Sequence, residues 1–121
     1  RMMSADVDRK KSKQLTMLLP ALQYINNNLS QDFSIAFLAK MLKITPQHFC
    51  KIFRETLNMR PNSYIITRRL EEAKRQIREN RLPIAEISHR CGFHDPGYFS
   101  TVFKKYEGIS PAEYRRRITE K

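Results

Sequence analysis

Tryptophan is absent, glycine occurs three times and cysteine twice in 121 residues. So little glycine leaves no phosphate-cradling loop in the chain. Cys50 and Cys91 are too few and too far apart for a disulfide framework, and they lack the spacing of zinc ligands. Free thiols in a reducing compartment are the expectation. Long apolar runs are missing as well. None approaches the roughly 18 residues of a membrane span, and the opening "RMMSADVDRKKSKQ" has no signal-peptide core. His48, His89 and His94 are the only histidines, with no HExxH and no acid pair set out for catalysis. No catalytic residue, metal or cofactor is therefore expected.

Acidic residues are also scarce. The chain has 12 Asp plus Glu against 23 Lys plus Arg, a net charge of +11. Such an excess favours a polyanion: DNA, RNA or an acidic membrane surface. Apolar and aromatic residues are spread throughout, which excludes a disordered basic tail. The first residue is Arg rather than an initiator Met. We expect a piece of a longer protein, with a partner domain upstream and residues 1–17 as a basic linker or a segment added in cloning.

What the chain does contain is helical periodicity. Leu15, Leu18, Leu19, Leu22 and Ile25 mark one helix, with Pro20 expected in its first turn. "SIAFLAKML" has Ser34 as its cap, and "TPQHFCKIFRETLN" has Thr45 as cap with Pro46 first in the helix. The longest pattern, "PNSYIITRRLEEAKRQIREN", gathers Tyr64, Ile65, Leu70, Ala73 and Ile77 on one face. On it, Glu71 is placed to pair with Arg68 and Arg75. "PIAEISHRC" opens on a helix-starting proline. Asp95 and Pro96 then begin another helix, and Ser110 with Glu113 forms a capping box around Pro111. The fold class is all-α, about seven helices.

The order repeats. Leu38, Ala39, Leu42, Lys43 and Ile44 match Ile87, Ser88, Cys91, Gly92 and Phe93 at an offset of 49. Phe49, Phe53, Pro61 and Tyr64 match Phe99, Phe103, Pro111 and Tyr114 at an offset of 50. Ala39 and Ser88 let the helices of each pair cross closely. Gly92 supplies a permissive turn, where Lys43 would be strained at positive φ. Two helices, a short turn and an outward second helix make a helix-turn-helix, whose second helix enters a major groove. Two units need grooves about 34 Å apart. A helix over residues 62–80, roughly 28 Å long, matches that need. A helical protein-interaction scaffold would repeat a helix pair too. RNA binding fits less well, because the aromatics sit at core spacing rather than as stacking platforms. A membrane-surface role fits poorly, since the apolar faces are needed for the core.

"IAEISHRCGFHDPGYFSTVFKKYEGISPAEYRR" closely resembles the signature of the AraC-type transcription regulators, and residues 34–77 look like the preceding half of the same domain. The resemblance runs from Leu18 to Arg117. In its second half Gly92, Phe93, Tyr98, Phe99, Phe103, Lys104, Gly108, Pro111, Tyr114 and Arg115 fall in register. It implies two tandem helix-turn-helix subdomains, over residues 18–60 and 82–121, joined by a central helix at 61–81. The implied partner is double-stranded promoter DNA, bound in adjacent major grooves. Transcription is commonly activated through contact with RNA polymerase, in the bacterial cytosol. An N-terminal sensory, receiver or dimerisation domain is implied upstream of this piece.

The resemblance also assigns residues. The first reading helix, residues 46–57, puts Phe49, Ile52, Phe53 and Leu57 inward and Gln47, Cys50, Lys51 and Arg54 outward. Gln47 suits an adenine edge and Lys51 a guanine edge, while Cys50 either meets a thymine methyl or merely fills space. On the second reading helix, residues 96–106, the base-facing places fall on Pro96, Gly97 and Thr101. None is a long hydrogen-bonding side chain, a departure from members with Gln or Arg there, so this helix is expected to position more than it reads. Gly97 would bring free N–H groups close to a phosphate. Phosphate contacts are expected from His48, Arg54, Arg60, Arg68, Ser100, Lys104, Lys105 and Arg115, with six or more phosphates bound in all. Arg69 is expected to be structural.

Overall fold

The computed structural model describes residues 2–120, with side chains from Asp8 onward. It is all-α. The helices are α1 (Met2–Asn27), α2 (Ile35–Met41), α3 (Pro46–Leu57), α4 (Pro61–Glu79), α5 (Ile84–Arg90), α6 (Pro96–Glu107) and α7 (Pro111–Thr119). Two compact units divide the chain. The first takes the chain up to Asn28 together with Phe33–Ile66, and the second takes Leu29–Asp32 with Thr67–Lys121. The division falls inside α4, so the helix expected as a separate linker contributes its first turns to one unit and the remainder to the other.

Local chemistry starts and stops the helices. The hydroxyl oxygens of Ser34, Thr45 and Ser110 accept the N–H groups of Phe37, His48 and Glu113, and the Asp95 carboxylate accepts that of Gly97. Each such cap stabilises its helix by about 1 kcal/mol. Asn58 and Gly108 end α3 and α6 in the left-handed conformation, at φ 58° and 86°.

The repeat is realised as packing within each unit. In the first, Leu18, Ala21, Ile25, Leu38, Phe49 and Phe53 are fully buried; in the second, Ile77, Ile87, Ser88, Cys91, Phe99 and Phe103 are. Aromatic rings link each reading helix to the helix after it. Phe49, Phe53 and Tyr64 follow one another at 5.6 and 5.5 Å between centroids, and Phe99, Phe103 and Tyr114 at 5.6 and 5.7 Å. Both tyrosine hydroxyls accept a hydrogen bond, from Asn26 and from Arg78. The turns match too. Ile44 N–H bonds to Ala39 O and Phe93 N–H to Ser88 O, with Lys43 at φ 61° and Gly92 at φ 92°.

Four local expectations are corrected. Pro20 lies inside α1, not in its first turn. Proline costs a helix its bond to the carbonyl four residues back. Here Thr16 and Pro20 are exposed, so water can take that carbonyl, while Leu18, Ala21 and Ile25 anchor the opposite face. Pro83 stands at the N-cap of α5, one place before the helix, and provides no side-chain acceptor. Glu113 does not complete its capping box: its carboxylate goes to Arg116 and Arg117. Arg75 pairs with Glu72 and Glu79 rather than Glu71, while Arg68 does pair with Glu71. No helix of the described residues is long and apolar enough to cross a membrane, and no group of metal-ligating side chains gathers among them.

Candidate nucleic-acid interface

α3 is amphipathic at helical spacing. Phe49, Ile52 and Phe53 are buried against the first unit, and this fixes where the opposite face points. On that face Gln47, Lys51 and Arg54 are exposed and Cys50 is half-buried. His48 is exposed one residue along, in the first turn. Cys50 and Arg54 also line an open cavity of about 360 Å³, closed by Arg60 and the first turn of α4. Arginines flanking the positive end of a helix dipole make this an anion-attracting surface. Among the described residues Lys51, Arg54, Arg60, Lys104 and Lys105 make no intramolecular ion pair, so their charge is available to a partner.

α6 has the same anchoring and a different face. Phe99, Val102 and Phe103 are buried, and Pro96, Gly97 and Thr101 are exposed with Ser100 half-buried beside them. The Thr101 hydroxyl donates its hydrogen to Gly97 O at 3.0 Å, which leaves its lone pairs and its methyl for a partner. At the helix start where free N–H groups were expected to reach a phosphate, one is already engaged, that of Gly97. Asp95 Oδ1 takes that hydrogen at 2.9 Å and sets a negative charge where the phosphate would sit. Tyr98, half exposed, leans on Phe93 at 6.3 Å.

A family model described as a helix-turn-helix domain matches residues 38–117. The arabinose operon regulatory protein of Escherichia coli K12 is 37% identical over 102 residues, 84% of this chain and 35% of that protein. This chain belongs to the AraC-type helix-turn-helix family. Two solved structures have the same fold. The C-terminal domain of AraT, a response regulator from Geobacillus stearothermophilus, matches with a TM-score of 0.80 at 33% identity, over 84% of each chain. The DNA-binding domain of AdpA, solved with a target DNA, gives 0.79 at 27% identity, over 83% of this chain and 90% of that one. An AraC-type domain binds DNA to regulate transcription and is not an enzyme. The chain spans about a third of the length of the arabinose regulator.

Within this AraC-type domain several arginines are held by the protein itself. Arg115 donates to Leu82 O at 2.5 Å, ahead of α5, and Arg68 to Glu71 at 2.8 Å. Both were expected on phosphates; each has an intramolecular commitment that a phosphate must outcompete. Arg69 is structural, as anticipated: Nε donates to Leu29 O and an Nη to Gln31 O, both at 2.9 Å. Burial lowers its pKa, an effect partly opposed by Asp32. His94 Nε2 lies 2.6 Å from Asp32 Oδ1, a contact across 62 residues that no local pattern reveals. Burial also pushes the Cys91 thiol up to about 12, which keeps it protonated and inert.

Proposed function

We propose that this domain recognises a specific double-stranded promoter site with α3 in one major groove and α6 in an adjacent one. It acts in the bacterial cytosol as the DNA-binding part of a larger regulator whose sensory, receiver or dimerisation domain lies outside this sequence. Activation through contact with RNA polymerase is the regulatory sense we assign. The observation that carries the reading is the exposed line Gln47, Lys51 and Arg54, held outward by the buried face of α3. Gln47 matches an adenine edge, Lys51 a guanine edge and Arg54 the neighbouring phosphate. Cys50, half-buried between them, fits a thymine methyl. α6 contributes fewer base contacts, through Pro96, Gly97 and Thr101, and is held by Ser100, Lys104 and Lys105 on the backbone.

Selection of bound duplexes from a random pool tests this division. Gln47→Ala and Lys51→Ala should each relax base preference within one half of the selected site, by about 1–3 kcal/mol per lost base contact. Thr101→Ala should change little, because its hydroxyl hydrogen is already spent on Gly97 O. A larger loss of specificity from Thr101→Ala than from the α3 variants would overturn the assignment.

A further inference from the structure

α6 opens on a charge that the reading above leaves unused. Asp95 is exposed, and its Oδ1 caps Gly97 N–H at 2.9 Å. A carboxylate has four lone-pair sites, and one hydrogen bond leaves acceptor capacity on Oδ2. A Cβ placed on Gly97 would stand 3.4 Å from Oδ1 and 3.9 Å from Oδ2. Glycine at 97 therefore leaves that side of the carboxylate uncovered. The fold does not require glycine here, since Gly97 is helical and a Cβ would meet nothing closer than these oxygens. In a helix it costs about 0.5–1 kcal/mol relative to alanine.

The same places in the first unit carry the opposite arrangement. Thr45, a neutral cap, precedes Pro46, and Gln47 follows with a long reading side chain. In the second unit the cap is charged, and the following position is bare. Residues at the start of a helix-turn-helix reading helix are the ones that reach base edges. We propose that Asp95 is a further base-reading side chain of α6, beside the contacts given above to Pro96, Gly97 and Thr101, and that it accepts a hydrogen bond from the exocyclic amino group of cytosine.

The choice of base follows from the donors and acceptors that the major groove displays. Guanine shows two acceptors and thymine shows O4 and a methyl, so a carboxylate is repelled by the first and unpaired against the second. Adenine offers an amino group but sets the N7 acceptor beside it, whereas cytosine presents its N4 hydrogens without an acceptor of its own. The charge also repels phosphates, so it lowers affinity for arbitrary DNA while it selects one base. Specificity then comes partly from penalising wrong sites.

This inference rests on α6 entering a major groove, as proposed above. The test starts from the duplex that the wild-type domain selects, with each base pair then exchanged in turn and binding measured at fixed salt. Asp95→Ser and Asp95→Asn both keep a good helix cap, and a thermal melt checks the fold of each. Asp95→Ser should flatten a cytosine preference at one position about tenfold, while affinity for unrelated duplex rises. Asp95→Asn, which can both donate and accept, should shift that preference toward adenine. Gly97→Ala leaves the charge in place and covers it, so it should raise the melting temperature and weaken the same preference. A cytosine preference unchanged in Asp95→Ser and Gly97→Ala overturns this inference alone. Failure of the wild-type domain to prefer any duplex overturns the DNA-reading assignment beneath it.

Discussion

Gly92 and Lys43 occupy the same turn in the two repeats, at φ 92° and 61°, and they meet its strain differently. Gly92 has no alternative. A Cβ there would lie 2.3 Å from the carbonyl oxygen of Leu29 and 2.8 Å from Arg69 Nε, in a conformation side chains avoid. Neither neighbour can yield, because Arg69 Nε is itself bonded to that carbonyl. Lys43 is exposed and tolerates the left-handed region at a cost of about 1–2 kcal/mol. Gly92→Ala should therefore destabilise the domain by about 2 kcal/mol or more. Lys43→Gly should be neutral or stabilising by up to about 1 kcal/mol, since relief of strain is partly offset by a more flexible unfolded chain. Urea denaturation monitored by circular dichroism measures both. A Gly92→Ala change indistinguishable from wild type would show that the turn can relax.

At the scale of elements, the reading helices are aimed from behind. Phe53 and Phe103 are fully buried and each touches two other rings, one on its own helix and one on the next. Phe53→Ala or Phe103→Ala should cost about 3–5 kcal/mol, while Gln47→Ala on the open face should stay within about 0.5 kcal/mol. Denaturation midpoints for the three variants decide it, and equal losses would mean that the faces are misassigned. This helical scaffold was legible in the sequence because its determinants are local. Ser34, Thr45, Asp95 and Ser110 cap at fixed offsets, and the apolar repeat recurs at 49 and 50 residues. What local pattern hid depended on surroundings. Whether Pro20 ends a helix turns on whether the carbonyl of Thr16 can reach water. Arg75 has carboxylates on both sides of it, and spacing alone does not choose Glu72 and Glu79 over Glu71. At the start of α6 the Asp95 cap was visible, but not which N–H it would take.

For the whole molecule, the excess of 11 positive charges overstates what DNA can use. Arg75, Arg90, Arg116 and Arg117 are each paired with a glutamate on their own helix, and Lys74 with Glu107. Arg69 and Arg115 hold backbone carbonyls. Among the cations with no ion pair, the ones set on phosphates by the reading above are Arg54, Arg60, Lys104 and Lys105, and Asp95 subtracts from their effect. Each phosphate neutralised on duplex DNA contributes about −0.9 to the slope of log K against log salt. Four such contacts give a slope of about −3.6, well short of what the net charge alone would imply. Binding isotherms from 50 to 200 mM salt on the selected duplex measure it. Replacing Arg54 and Arg60 with alanine should lower the slope by about 2 and weaken binding to all sequences alike. Gln47→Ala should instead leave the slope unchanged and alter only which sequence binds best. A wild-type slope near zero would remove phosphate contact as the source of affinity. A slope indifferent to Arg54 and Arg60 would move the contacts to the arginines now held within the protein, which would have to exchange their carboxylates and carbonyls for phosphate on binding.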